Sequence, residues 1–195
     1  MVKFTSGQKQ KKKGEVNMRE NGNNVTRVCS FYVNDWHLTT MLLPYINKTI
    51  NENKKVLTIL ESGIKDNIEE LLSKMNLKSE TQNRILEINW NSKPVCKFSK
   101  IKDEIRTLLK DVQAINIIVD GNKEYLEIAN KNIDKVTKDI KDKEITVINC
   151  HEISKYKEID AILDKNDFVL NTSGIKEIKE VFTEYKTSKD NKKII

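Results

Sequence analysis

The residues most able to do chemistry in this chain come directly after short apolar runs that are typical of β-strands. Both tryptophans and both histidines of the 195-residue sequence lie at these junctions. The carboxyl ends of parallel strands meet at one edge of a sheet, so we predict a pocket or partner surface there. The alternative is that the bulky residues cap the sheet and pack beneath loops. The candidates are Asp35, Trp36, His37, Glu61, Trp90, Asp120, Asn122, His151, Glu152 and Ser173.

Asp120 ends an apolar run and precedes Gly121, which matches the Walker B pattern of nucleotide hydrolases. The partner motif, Gly-x-x-x-x-Gly-Lys-Ser/Thr, is absent from the sequence. Without its backbone cradle and lysine, phosphates have no strong binding loop, so we do not predict ATP hydrolysis. The competing interpretation of Asp120 is a helix cap or turn former.

Cysteine, histidine and serine also fail to form a recognisable catalytic or metal pattern. Cys150 and His151 are adjacent in a predicted strand and point to opposite faces, which argues against a nucleophile–base pair. The three cysteines and two histidines are too scattered for a zinc site, and no serine lies in a Gly-x-Ser-x-Gly elbow. We predict no catalytic residue, no metal site and no cofactor.

The elements that position these residues alternate along the chain. Each predicted strand is followed by a helix, which indicates a three-layer α/β sandwich with a mostly parallel sheet of about six strands. Pro44 lies inside the first helix and is expected to bend it or to end its first segment. The predicted strands are residues 27–33, 55–60, 84–90, 114–121, 144–150 and 167–171, and the helices 36–52, 64–75, 98–112, 123–140, 153–163 and 174–186.

The net charge of the segment that contains these elements differs from that of the two ends of the chain. The net charge is +6, of which residues 1–26 carry +4 and residues 186–195 carry +3, leaving −1 between them. We predict disordered basic tails at 1–26 and 187–195 and a single domain at 27–186. Unpaired cysteines, no secretory signal and no apolar run long enough for a membrane helix favour a cytoplasmic location without membrane contact.

Several segments resemble the MEDS family, the methanogen/methylotroph sensory domains. They are residues 28–32 (VCSFY), 42–46 (LLPYI) and 51–57 (NENKKVL), and later 145–150 (ITVINC), 162–164 and 168–170. The resemblance implies a RecA/KaiC-like fold that lacks a phosphate loop and serves as a ligand-responsive, non-catalytic regulator. The chain departs from the family's usual residues at Arg27, Glu152, Asn166 and Asp167, which leaves any ligand specificity open.

The expected function is therefore a stand-alone sensory or regulatory domain. It would bind a small ligand or a signalling protein at the carboxyl edge of its sheet, through a shift between two states of the edge loops. One alternative is a degenerate RecA-like nucleotide-binding protein or ATPase-like subunit that uses Asp120. Another is a nucleic-acid binder acting through the lysine-rich tails. The oligomeric state stays open.

Overall fold

Six strands form one sheet in the computed structural model, which describes residues 25–156 and 159–183. They are β1 (Val25–Tyr32), β2 (Lys55–Leu60), β3 (Ala114–Asp120), β4 (Glu144–Glu152), β5 (Phe168–Asn171) and β6 (Gly174–Glu177). The order across the sheet is β2-β3-β4-β1-β5-β6. All neighbours are parallel except β5 and β6. The predicted α/β class with a mostly parallel sheet is confirmed.

Helices cover both faces of this sheet, which makes three layers. They are α1 (Asp35–Asn51), α2 (Lys65–Lys74), α3 (Ser79–Leu86), α4 (Ile101–Leu108), α5 (Lys123–Thr137), α6 (Ile159–Leu163) and α7 (Ile178–Val181), with 3₁₀ helices at Val95–Lys100 and Ile153–Lys155. Val28 and Ile118 share a core with α1, α2 and α3 on one face. Ile117 and Val147 pack with α4 and α5 on the other, where Cys29 contacts the cluster of α6 and α7. None of these helices combines the length and apolar character needed to cross a bilayer.

Two asparagines cap the helices that follow β1 and β3. Asn34 Oδ1 accepts from the backbone N–H of His37 at 3.0 Å and begins α1. Asn122 Oδ1 accepts from the N–H of Tyr125 at 3.0 Å and begins α5. Such contacts satisfy first-turn amides that have no partner inside the helix. Pro44 does not end α1, which runs without a break from Asp35 to Asn51, and it lies on the exposed face of the helix.

The predicted third strand, residues 84–90, is wrong. This segment is the end of α3 and the turn after it. Ile85 and Trp90 are buried, and the indole Nε1 of Trp90 donates to the Ile85 carbonyl at 2.9 Å, so the apolar spacing serves core packing instead of a strand. The chain then passes the edge strand β2, where the N–H of Lys93 donates to the Leu60 carbonyl at 2.7 Å. Covering an edge in this way protects it from unwanted pairing.

The predicted helix at residues 174–186 is also wrong at its beginning. Residues 174–177 form β6, which returns antiparallel to β5. Gly174 has a φ of 101°, a conformation that glycine adopts without strain, and it permits the tight return. Helix α7 follows for four residues. The end of the predicted helix, from residue 184 onward, lies outside the described residues.

Other boundaries differ by less. The predicted tails, 1–26 and 187–195, lie outside the described residues, except that Val25 and Thr26 belong to β1 and pair with Ile145 and Thr146. The helix predicted at 98–112 begins as the 3₁₀ helix Val95–Lys100 and continues as α4. The one predicted at 153–163 contains a 3₁₀ turn and α6, with residues 157 and 158 not described.

We expect Trp90→Ala to lower the free energy of unfolding by about 3–5 kcal/mol, because it empties a core position. Trp90 is 2% exposed, whereas Trp36 is 40% exposed, which makes Trp36→Ala the matched control. The control should change stability by less than about 1 kcal/mol. Urea unfolding followed by circular dichroism measures both variants. Equal losses would contradict the assignment of Trp90 to the core.

Candidate ligand-binding groove

The chain changes direction between the neighbouring strands β1 and β4. From β1 it crosses one face of the sheet through α1 and reaches β2, and from β4 it crosses the other face through α6 and reaches β5. Neighbouring strands whose connections leave in opposite directions open a crevice at their carboxyl ends. A ligand site is therefore expected beside the ends of β1 and β4.

Asp120 is enclosed on the α1 side of the sheet. Its carboxylate accepts from the Tyr32 hydroxyl at 2.7 Å, and the residue is 4% exposed. Burial raises the pKa of Asp120 to about 6; the Tyr32 hydrogen bond and Lys155 oppose this rise, while the charge of Asp35 adds to it. Burial, and then the charge of Asp120, raise the pKa of Tyr32 well above its usual value. Asp120 thus joins β3 to β1 instead of presenting a free carboxylate.

Glu61 and Asn122 fasten the turn between β3 and α5. The backbone N–H and the side-chain Nδ2 of Asn122 donate to the two carboxylate oxygens of Glu61, each at 2.6 Å. Gly121 leaves no room for a side chain, because a Cβ there would lie 2.6 Å from the Tyr125 ring and 2.9 Å from the Glu61 Cβ. The positions of Glu61 and Asn122 are thereby explained by the turn itself.

The aromatic residues predicted for the edge do not form one crevice. Trp90 is in the core beside Ile85. Trp36 lies on the first turn of α1 with the Lys74 ammonium 5.5 Å from its ring centroid. His37 is on the same turn, and its Nδ1 accepts from the backbone N–H of Val33 at 3.2 Å. For Trp90, the alternative given by the sequence is correct: the bulky side chain packs in the core and does not line a pocket.

The remaining predicted residues are spread along the same edge. Asp35 is exposed at the start of α1, and Glu152, at the end of β4, pairs with Lys155. That pair, with Ser154, lowers the pKa of Glu152. Ser173 lies on the same edge but beside the last two strands of the order, in the turn from β5 to β6. Its N–H donates to Asn171 Oδ1 at 2.8 Å. These residues share an edge but not a pocket.

A groove of about 920 Å³ lies between α5 and α6, above β1 and β4. Small-molecule sites commonly have volumes of about 300–1,000 Å³. His151 is the one member of the predicted set among its lining residues. The lining is strongly basic, with the acids Glu127 and Asp134 set against Arg27, Lys123, Lys131, Lys135, Lys138, Lys155 and Lys165.

The floor of the groove is a polar network that joins three elements. The Arg27 guanidinium donates to Asn130 Oδ1 and forms an ion pair with Asp134. The Nδ2 of Asn130 donates to Asn149 Oδ1 at 2.8 Å. Sequence reasoning missed this network, although Arg27 and Asn149 interrupt strands that are otherwise largely apolar. Such interruptions were the available signal, because buried polar side chains require partners.

His151 closes the groove at the carboxyl edge. It is 7% exposed, and neither of its ring nitrogens has a hydrogen-bond partner in the described part of the chain. Its ring packs between Phe31, with centroids 5.7 Å apart, and Tyr156, with centroids 4.7 Å apart. Burial lowers the pKa of His151 to about 4, so at neutral pH the ring is uncharged and offers one donor and one acceptor. The Tyr156 hydroxyl donates to the Gly121 carbonyl at 3.1 Å, which holds the phenol ring beside His151.

Two of the three cysteines are buried in the sheet. Burial raises the pKa of Cys29 to about 12 and that of Cys150 far above its usual value, so both behave as core thiols. Within residues 25–156 and 159–183, no group of three or more His, Cys, Asp or Glu side chains is placed to hold a metal ion.

Asp120 and His151 should make opposite contributions to stability between about pH 4 and pH 6.5. The pKa of Asp120 is raised by folding, so the folded state holds more protons and this contribution falls as pH rises. The pKa of His151 is lowered by folding, so the unfolded state holds more protons and this contribution grows as pH rises. At roughly 1.4 kcal/mol per pKa unit, each amounts to about 3 kcal/mol at most.

Asp120→Asn should therefore gain stability with rising pH relative to the wild type, and His151→Phe should lose it. Urea unfolding at several pH values in this window measures the free energy of unfolding against pH for the wild type and for each of the two variants. Other carboxyl groups affect all three alike, so the differences between curves isolate the two residues. Parallel curves would show that the two side chains titrate alike in the folded and unfolded chains.

Comparisons with known proteins assign no function to the groove or to the other edge residues. No family model, no curated protein and no solved structure matches this chain. The resemblance to the MEDS family consequently stays a prediction, and the function is argued below from the contacts of the groove.

Proposed function

We propose that this chain is a non-catalytic sensory domain that binds a small ligand in the groove between α5 and α6. The observation that carries the proposal is His151, a buried imidazole whose two nitrogens have no partner among the described residues, at the end of a groove of ligand size. A buried polar group without a partner costs about 1–3 kcal/mol of stability. A ligand that supplies the missing partners recovers this free energy, and the groove provides its path to the ring.

The contacts around His151 support binding more than catalysis. A general base works best with a pKa near the working pH, whereas burial lowers the pKa of His151 to about 4. Its described ring contacts are aromatic, so no carboxylate among them orients the imidazole. Asp120, the acid required by the ATPase-like alternative, faces the opposite side of the sheet and is bonded to Tyr32. The nucleic-acid alternative depends on tails that lie outside the described residues.

Tyr156 provides a route from ligand to signal. Its ring covers His151, and its hydroxyl is bonded to the Gly121 carbonyl. Gly121 belongs to the turn that Glu61 and Asn122 fasten at the carboxyl edge. A ligand that enters the groove and bonds the imidazole nitrogens would shift the Tyr156 ring beside them, which breaks the bond to that turn. Binding would then select a second state of the edge, as a sensory domain requires.

Native mass spectrometry of the full chain purified from its own cells tests the proposal. We expect a retained small molecule on the wild type and none on His151→Phe, because phenylalanine keeps the ring shape and removes both nitrogens. His37→Phe is the matched control, since it alters the other histidine outside the groove. It should retain the ligand.

Retention by all three proteins would contradict the role of His151. So would a wild type that carries nothing and is not stabilised against heat by the small-molecule fraction of the same cells. Ligand binding by a folded state raises the midpoint of thermal unfolding, so this second measurement detects a ligand lost in purification.

A further inference from the structure

Lys155 of the groove is paired with Glu152, whereas three other lysines of the lining have no acidic partner among the described residues. Lys131 and Lys135 project from successive turns of α5, and Lys165 follows α6 on the opposite wall. No ion pair is formed by these three within the part of the chain that the structure describes. Of the two acids that line the groove, Asp134 is paired with Arg27, which leaves Glu127 against several lysines. The groove therefore holds positive charge that a bound anion would neutralise.

This concentration of charge is not a general property of the surface. Residues 27–185 sum to −1, because the excess of basic residues is in the two ends of the chain. A nearly neutral body that gathers seven basic side chains around one groove creates a local positive field. Such a field attracts anions into a concave site more strongly than isolated surface charges do.

The kind of cation indicates the kind of anion. Planar carboxylates are recognised best by the two-pronged guanidinium of arginine, and the groove's one arginine, Arg27, is occupied by Asn130 and Asp134. The unpaired cations are lysines, whose compact ammonium groups bind phosphate as point charges. A phosphate ester carries about −1.5 to −2 at neutral pH, which two or three lysines can balance.

The two halves of the groove differ in chemistry. Leu126 lines it near the carboxyl edge, and Lys131 and Lys135 follow five and nine residues later on α5. At 1.5 Å per residue that separation is about 8–14 Å. The end at the carboxyl edge offers the neutral donor and acceptor of His151 beside Lys123 and the paired Lys155, and the other end offers the ammonium groups of Lys131 and Lys135.

We infer that the groove binds an organic phosphate, with its neutral hydrogen-bonding body at His151 and its phosphate at Lys131, Lys135 and Lys165. The inference rests on the proposed function and specifies the class of ligand for the same site. The body of the ligand supplies the partners that the imidazole lacks, and the phosphate neutralises the lysines.

Isothermal titration of the full chain with adenosine monophosphate and with fructose bisphosphate tests the class. Adenosine, fructose and citrate are the comparison ligands, because they lack either the phosphate or its geometry. We expect at least one of the two phosphates to bind, and to bind more tightly than citrate and its own phosphate-free parent. Its affinity should fall as salt rises, because ion pairs with lysine are screened.

The double variant Lys131→Ala, Lys135→Ala should weaken that binding about tenfold or more, because it removes two of the three ammonium groups that pair with the phosphate. The matched control is Lys100→Ala, Lys102→Ala, which removes the same charge from exposed positions outside the groove. It should bind as the wild type does. Both pairs are exposed, so neither variant is expected to unfold.

Four results would overturn the inference. They are no binding of either phosphate, equal binding of the phosphate-free parents, tighter binding of citrate, and equal losses in the two double variants. A short oligothymidylate that binds through Lys131 and Lys135 while neither phosphate binds would identify a nucleic-acid surface instead. Retention of a phosphate-free molecule by the wild type but not by His151→Phe would refute the ligand class and leave the proposed function standing.

Discussion

The pairing of β1 with β4 is the contact on which the rest of the structure depends. These strands are parallel and in register over eight residues, from Val25 opposite Ile145 to Tyr32 opposite Glu152. They are adjacent in the sheet but far apart in the chain, so the connections that follow them leave in opposite directions and on opposite faces. The crevice at their ends, and the groove that continues from it, are consequences of this one pairing.

The alternation of side chains along these strands then divides the chemistry between two faces. Tyr32 points to the α1 side, where it meets Asp120 from β3. Phe31 and His151 point to the other side, where they meet Tyr156. A shift of one residue in register would exchange these sets, because neighbouring side chains on a strand face opposite ways. The enclosed carboxylate of Asp120 and the imidazole of His151 therefore lie on opposite faces of the sheet.

The sequence was sufficient for the fold class and for most of the repeating units. Five of the predicted strands exist, because short β-branched runs followed by helical periodicity are typical of parallel sheets. It was insufficient at residues 84–90, where a short apolar run predicted a strand, but Ile85 and Trp90 are buried in the core that α1 and α2 share. Tertiary packing decides such short segments, and no local pattern reports it. The helix predicted to begin at Gly174 is wrong for a related reason. The positive φ of Gly174 belongs to the turn that pairs β6 with β5, and this pairing is not visible in the local sequence.

The candidate site was harder to predict, because sequence displays the type of a polar residue but not whether its partners are present. Glu61, Asn122 and Asp120 looked functional, and their hydrogen bonds explain them as parts of turns and strand contacts. Arg27 and Asn149 were not among the predicted site residues, and they form the floor of the groove. Within residues 25–156 and 159–183, only His151 combines a predicted edge position with buried side-chain atoms that have no partner there. Because a folded chain satisfies nearly all of its buried polar groups, the exception carries more functional information than the many satisfied residues around it.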